Sequence, residues 1–180
     1  MKKVSVIGCP GAGKTTFSKE LARVTGLPLI HLDLIYHDQS YRYRTNRDSW
    51  RARVSSEIKR RRWIIDGNYK STFDIRLPES DTIIFLDYPT HLSIWRAIKR
   101  RIRFRKTVRE DMPSTWRERL GWDFFVFILK FNRSIAPRMR SLLEAYSDKD
   151  IIVLTNPRQA KTYLNSKTKR KTSKRRLATK

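Results

Sequence analysis

The sequence predicts an α/β fold, a parallel β-sheet covered by helices on both faces. Short apolar runs of four or five residues, mostly β-branched or aliphatic, alternate along the chain with longer stretches of helical periodicity, and that alternation is the signature of βαβ units. The runs are apolar nearly throughout, as strands buried on both faces must be. The chain of 180 residues is 39% hydrophobic and 11% aromatic, which supplies the core of one domain. Its single cysteine excludes an intramolecular disulfide framework and a multi-cysteine zinc site.

Taken in order, residues 3–7 form the first strand. Lys14–Thr25 reads as a helix stopped by Gly26, a residue that tolerates the left-handed turn closing a helix. Residues 28–32 form the second strand. Asp48 or Ser49 caps a helix over residues 50–62, where Trp50, Val54 and Ile58 recur at four-residue spacing. Trp63–Asp66 and Thr82–Leu86 are the third and fourth strands. Pro89 and Thr90 open a helix carrying Leu92, Trp95 and Ile98, and a further helix runs from about Ser114 to Ala145, broken near Pro137, with Leu120, Phe124, Phe127 and Phe131 on one face. Asp150–Leu154 is the fifth strand. No internal repeat is present.

Charge is the compositional outlier: 41 Lys+Arg against 17 Asp+Glu, formally +24. Such an excess points to polyanionic partners rather than to a fold. Eight of the basic residues lie in residues 166–180, which contain no acid and one leucine. That tail has too little apolar area to order itself and reads as disordered, either solvated or docking nucleic acid non-specifically. Residues 1–7 lack a signal-like apolar run, and the longest unbroken apolar stretch, residues 124–129, is too short to span a bilayer; a cytoplasmic location is expected. Residues 122–131, apolar nearly all round, read as a buried helix or dimer contact, with membrane-surface binding as the rival.

The sharpest signal is Gly8-Cys9-Pro10-Gly11-Ala12-Gly13-Lys14-Thr15, a full match to the phosphate-binding loop G-x-x-x-x-G-K-[ST] between a strand and a helix. Its glycines let successive backbone N–H groups converge on phosphate oxygens, and the following helix adds its positive N-terminus. Lys14 is expected to reach the β- and γ-phosphates and Thr15 to ligate Mg²⁺, with Thr16 completing the loop. Cys9 and Pro10 occupy variable positions; Cys9 reads as a spacer, its rival role being a thiol activated by the helix N-terminus. ATP or GTP is the expected ligand.

Three strands end in an acid: Asp33, Asp66 and Asp87. In open α/β sheets ligands bind beyond the carboxyl ends of the strands, where a Mg²⁺–phosphate site needs one carboxylate for the metal and a phosphoryl acceptor needs another to take a proton. Asp66 is the first choice for metal and Asp33 for acceptor contact or base, with Asp87 third; each has a turn-capping role as its alternative. His31 and His37 share the rim but lack metal-ligand spacing. Between Trp95 and Arg109 stand eight basic residues. Arg96, Arg100 and Arg103 share a helical face, suited to a lid closing over a transferring phosphate; a solvated face and a nucleic-acid surface are the alternatives.

With these residues assembled, the chain resembles the adenylate-kinase-like branch of P-loop kinases, and within it the bacterial DNA topology modulation protein group, over residues 1–165. The carriers are residues 8–16, His31-Leu32-Asp33, Trp63-Ile64-Ile65-Asp66-Gly67-Asn68-Tyr69, residues 81–89, the arginine-rich stretch and Arg109-Glu110-Asp111-Met112-Pro113. The resemblance implies a three-layer α/β/α sandwich with a five-stranded parallel sheet of order 2-3-1-4-5, so that Asp66 stands beside Lys14 and Thr15. It implies an acceptor-binding segment at about residues 33–62, a lid at about 95–113, a phosphate-facing Arg76, and a nucleotide-base site at Asn156-Pro157-Arg158. The stretch Tyr36-His37-Asp38-Gln39-Ser40-Tyr41-Arg42-Tyr43-Arg44 lacks the nucleoside-monophosphate kinase pattern; its tyrosines and arginines suit a phosphorylated or aromatic acceptor, or an ordinary surface hairpin.

The expectation is an ATP- and Mg²⁺-dependent kinase acting on a small molecule or nucleotide. Lys14, Asp33, Arg100 and Arg103 are its expected catalytic residues, residues 8–16 and Arg158 its nucleotide contacts, and Thr15 and Asp66 its metal ligands. The alternative is a nucleic-acid-binding regulator switched by nucleotide, motivated by the charge.

Overall fold

The computed structural model describes residues 1–37, 46–104 and 122–177. One sheet holds five parallel strands, β1 (Lys3–Gly8), β2 (Leu29–His31), β3 (Trp63–Asp66), β4 (Thr82–Leu86) and β5 (Asp150–Leu154), in the order β2-β3-β1-β4-β5. The register sets Val6 opposite Asp66 and Gly8 opposite Leu86. These runs form strands because both of their faces are covered: Val4, Val6, Ile64, Ile65, Ile83, Ile84, Phe85 and Leu86 are all fully buried. Alternation along β3 sends Ile64 into the main core and Ile65 into a second cluster with Ile30, Leu32, Trp50, Val54, Ile58 and Trp63.

Helix α1 (Lys14–Thr25) turns Phe17, Leu21 and Val24 inward and closes at Gly26, whose left-handed backbone (φ 70°) lets its N–H reach Ala22 O. Helix α2 (Leu32–Tyr36) follows β2 directly, and α3 (Arg47–Ile58) precedes β3. Asn46, rather than Asp48 or Ser49, caps α3, its side chain accepting from the Ser49 N–H at 3.0 Å; Asp48 lies in the first turn. The helix stops at Ile58 and not at 62. The buried Glu57 carboxylate is held by Arg53 and Arg60, and the Arg60 N–H turns back to Glu57 O, leading the chain into β3.

A 3₁₀ turn (Lys70–Thr72) and α4 (Phe73–Glu79) link β3 to β4. Helix α5 (Thr90–Arg103) follows β4. Then come α6 (Trp122–Lys130), a π-helical turn (Phe131–Ile135) and α7 (Ala136–Glu144). The expected long helix therefore breaks before Pro137, because proline is accepted at the start of α7 but would clash with the carbonyl four residues earlier. Residues 114–121 of that helix lie outside the described residues. Helix α6 is only partly buried: its Ile128 and, just after it, Phe131 of the π-helical turn face the core, while Trp122, Phe127 and Leu129 are exposed.

Helix α8 (Pro157–Leu177) packs on α1 through Tyr163 and Phe17. It passes residue 165 without a break and enters the segment read as disordered; no glycine or proline interrupts residues 158–177, and Lys and Arg are good helix formers. Among the described residues no helix is long and apolar enough to cross a membrane.

Candidate functional site

The site is built from the carboxyl ends of β1, β2 and β3. The loop after β1 can take its path only with glycine at two close approaches. A Cβ on Gly8 would sit 2.5 Å from Leu86 O, and one on Gly11, at φ +82°, would sit 2.3 Å from Ser93 O. The loop is thus pressed between the end of β4 and the first turn of α5. Within it Cys9 and Ala12 are buried, Pro10 is half-buried and Thr16 is exposed. Burial pushes the Cys9 thiol up to about 11, which suits the spacer role and opposes the nucleophile.

Lys14, the first residue of α1, folds its ammonium back on the loop, donating to Gly8 O at 3.0 Å and Cys9 O at 3.2 Å. Burial lowers its pKa, and the Asp66 and Asp33 carboxylates act against that shift. The Thr15 hydroxyl donates to Asp66 Oδ2 at 2.9 Å, and His31 Nδ1 lies 3.2 Å from the same oxygen. The structure therefore brings Lys14, Thr15 and Asp66 together, as the strand order requires. A hydroxyl and a carboxylate make an all-oxygen donor pair, which fits Mg²⁺. Among the described residues no cluster of three His, Cys, Asp or Glu forms, and Mg²⁺ at phosphate sites commonly uses one or two carboxylates with substrate phosphate oxygens and water.

Asp33 stands in the first turn of α2, where Tyr69 Oη donates to its Oδ1 at 2.7 Å. Asp87 faces elsewhere: it is held by Arg140 of α7, with Nε 2.8 Å from Oδ2 and Nη2 on the same oxygen. His37 closes α2 and sets its ring edge-on to Tyr36.

The basic helix α5 delivers Arg96 rather than Arg103 to the loop. Arg96 Nη1 donates to Ala12 O at 2.7 Å, and its guanidinium lies over the Tyr88 ring at 5.2 Å. Arg100 stacks on Phe124 of α6 at 5.8 Å, and its charge adds to the lowering of the Lys14 pKa. Arg103 is exposed against Phe104. The signal for Arg96 was positional: it lies in the part of α5 nearer β4 and the loop. Residues 105–113 of the expected lid lie outside the described residues, as do Tyr41, Arg42, Tyr43 and Arg44 of the acceptor segment.

Arg76 of α4 is completely buried, donating through Nη2 to Gly67 O and lying 4.8 Å from the Phe73 ring centroid. Burial pushes its pKa down to about 9, with Asp66 acting against the shift. Arg158 is exposed at the start of α8 and, with Asn156, Gln159 and Thr162, lines an open groove of about 580 Å³. Sequence reasoning missed Asn68 as an individual. Its side chain accepts from the Gly8 N–H at 3.0 Å and donates to Gly8 O at 2.6 Å, riveting the end of β3 to the start of the loop.

Sheet order and helical layers together make a fold that the chain shares with solved structures of kinases. The chain is similar to shikimate kinase from Acinetobacter baumannii in complex with shikimate, with a TM-score of 0.60 and 15% identity over 92% of this chain and 90% of that one. A gluconokinase from Sinorhizobium meliloti 1021 superposes with a TM-score of 0.52 and 16% identity, over 94% of each chain. Deoxyadenosine kinase from M. mycoides with bound dCTP gives 0.50 and 14%, over 91% of this chain and 97% of that one. In sequence, a 42-residue stretch is 45% identical to cytidylate kinase from Pyrobaculum aerophilum and covers 23% of either protein. No protein-family model matches the chain.

Proposed function

We propose that the protein is an ATP- and Mg²⁺-dependent kinase that transfers the γ-phosphoryl group to a hydroxyl of a small-molecule or nucleotide acceptor. The observation that carries this reading is the meeting of Lys14, Thr15 and Asp66 at one end of the sheet, with the Thr15 hydroxyl on Asp66 Oδ2 at 2.9 Å. In the proposed reaction the amides of residues 8–16 and the Lys14 ammonium bind the β- and γ-phosphates. Thr15 and Asp66 would hold Mg²⁺, which would supply positive charge to the phosphate oxygens. Asp33 orients the acceptor hydroxyl and takes its proton as the new P–O bond forms and the bond to ADP breaks. Arg96 and Arg100 supply positive charge from α5, with Arg103 and the rest of residues 95–113 as the lid and residues 33–62 as the acceptor-binding segment. The groove at Asn156 and Arg158 receives the base. The all-oxygen pair at Thr15 and Asp66 and the kinase folds of its structural neighbours support this reading. Likeness to the DNA topology modulation group rests on residues 63–69 and their neighbours in sequence. The nucleic-acid regulator finds no support among those structural neighbours, and a cytoplasmic site of action accompanies the kinase reading.

The test is to incubate the protein with ATP–Mg²⁺ and a panel of nucleosides, nucleotides and small hydroxylated metabolites while following ADP release. One class of acceptor should raise ADP release well above the rate in water. Asp33→Asn should then cut that turnover by about a hundredfold or more while leaving ATP affinity within about twofold. Equal losses in turnover and ATP affinity would contradict the acceptor role of Asp33.

A further inference from the structure

The loop that holds phosphate and the carboxylate assigned to the acceptor belong to different elements, β1–α1 and α2. Phosphoryl transfer is acutely sensitive to the distance between its two half-sites. We propose that Asn68 and Tyr69, consecutive residues of the turn after β3, are a positioning pair that fixes the acceptor carboxylate relative to the phosphate-binding loop. This rests on the kinase reading above and adds to it two residues that touch neither reacting group.

The turn is held at both ends and from beneath. Asn68 closes a two-bond ring on Gly8, accepting from its N–H and donating to its carbonyl. One residue on, the Tyr69 hydroxyl donates to Asp33 Oδ1 at 2.7 Å. The Tyr69 ring is boxed by Trp50 of α3 at 4.9 Å and Tyr36 of α2 at 4.8 Å, and Tyr36 and Trp50 are themselves 5.1 Å apart. Trp50 is buried, so the box ties Tyr69 to both helices of the described acceptor segment. Beneath the turn, Gly67 N–H bonds to Val6 O, and the buried Arg76 donates to Gly67 O. A side chain at Gly67 would meet Leu32 Cβ at 2.9 Å and Tyr69 Cδ2 at 3.2 Å, so the turn lies directly against the residue that precedes Asp33. The backbone carbonyl of Tyr69 is fixed as well, accepting from Thr72 N at 3.0 Å and Thr72 Oγ1 at 2.9 Å.

The resulting path runs Gly8, Asn68, Tyr69, Asp33, with two hydrogen bonds at the Gly8 end, one at the Asp33 end and one peptide bond between. Neither end can shift against the other without breaking one of those bonds or repacking the aromatic box. By binding Oδ1, Tyr69 fixes how the carboxylate presents its second oxygen, Oδ2. A merely structural turn would affect stability alone. A positioning turn splits its effects, with Asn68 acting first on nucleotide and Tyr69 on acceptor turnover.

The experiment measures ATP–Mg²⁺ affinity by calorimetry and ADP release with the acceptor selected by the panel. It uses the full chain, Asn68→Ala, Tyr69→Phe and the double variant, with thermal melts to confirm folding. Asn68→Ala should weaken ATP by about tenfold, since it removes two bonds to the loop. Tyr69→Phe keeps the ring, so it should leave ATP affinity within about twofold while lowering kcat about tenfold. The double variant should lose less turnover than the product of the single losses, as coupled groups do. Unchanged kcat in Tyr69→Phe, or equal losses of ATP affinity in the two single variants, would overturn the proposal. A parent protein that binds ATP but phosphorylates nothing in the panel would count against the kinase reading instead. The calorimetric arm would still decide whether Asn68 anchors the loop, with unchanged affinity in Asn68→Ala overturning it.

Discussion

Two strands of the sheet end alike in sequence and differently in space. Strand β3 ends in Asp66 and β4 is followed at once by Asp87, both strands pair with β1, and both carboxylates are nearly buried. Yet Asp66 receives the Thr15 hydroxyl from α1 and lies beside His31, whereas Asp87 receives the Arg140 guanidinium from α7. The difference is one of register and face. Asp66 lies level with Val6, within the ladder, where it meets the helix that begins at the phosphate-binding loop; Asp87 lies one residue beyond the Gly8–Leu86 pair, where its N–H joins Leu154 of β5. An acid at a strand end thus becomes a candidate ligand only when it faces α1.

That contrast can be broken by exchanging the roles in variants. Asp66→Asn should reduce Mg²⁺-dependent turnover by about a hundredfold or more, since it removes the only carboxylate proposed for the metal. Asp87→Asn should leave turnover within a few-fold and lower unfolding stability by about 1 kcal/mol in denaturant titrations, because Arg140 is more than half exposed and its ion pair is screened. Similar turnover losses in the two variants would erase the distinction.

Next in size are two effects of burial in the loop. The lowered pKa of Lys14 means that the folded state disfavours its charge. The unfolded chain therefore binds more protons there, so this group's contribution to stability rises with pH between the folded pKa and the ordinary value of 10.5. Lys14→Met should accordingly melt higher than the parent at pH 7 in the absence of nucleotide, with the gap narrowing as pH climbs toward 10.5. ATP affinity should fall on the alkaline side at lower pH than an ordinary lysine would produce. At pH 8 a thiol raised to about 11 is on the order of one part in a thousand thiolate. Iodoacetamide should therefore label Cys9 only as fast as the protein opens; rapid labelling of the native protein would mean that the loop is not packed as described. The smallest effect is expected beyond the groove, whose lining ends at Ser166: deleting residues 169–180 should change turnover less than about twofold.

The sequence made the sheet legible because its strands are short β-branched runs whose ends coincide with turn residues, and all five match to within one residue at either end. Helix α1 was equally plain, bounded by Gly13 and Gly26. Elements whose cause is tertiary were not legible. Helix α2 has five residues, too few to show a period, and α4 carries Pro78, which reads as a breaker. Helix α8 lacks a sustained apolar stripe and was visible only as charge. At the site, the residue types of Lys14, Thr15 and Asp66 followed from the loop motif and from resemblance. Arg96 was set apart from Arg100 and Arg103 only by its place in the part of α5 nearer β4, a weak signal beside the shared helical face. Asn68 and Tyr69 stood inside the most telling run of the chain, yet their partners, Gly8 and Asp33, are 60 and 36 residues away.

The central claim is that the Gly8–Thr15 loop is a nucleotide triphosphate site with Lys14 as its charge. Calorimetric titration of ATP–Mg²⁺ into the parent protein and into Lys14→Ala tests it most directly. Saturable binding by the parent and a loss of about tenfold to a hundredfold in the variant is the expected result, as follows from removing a charge-assisted phosphate contact. Equal affinities in the two proteins would contradict it.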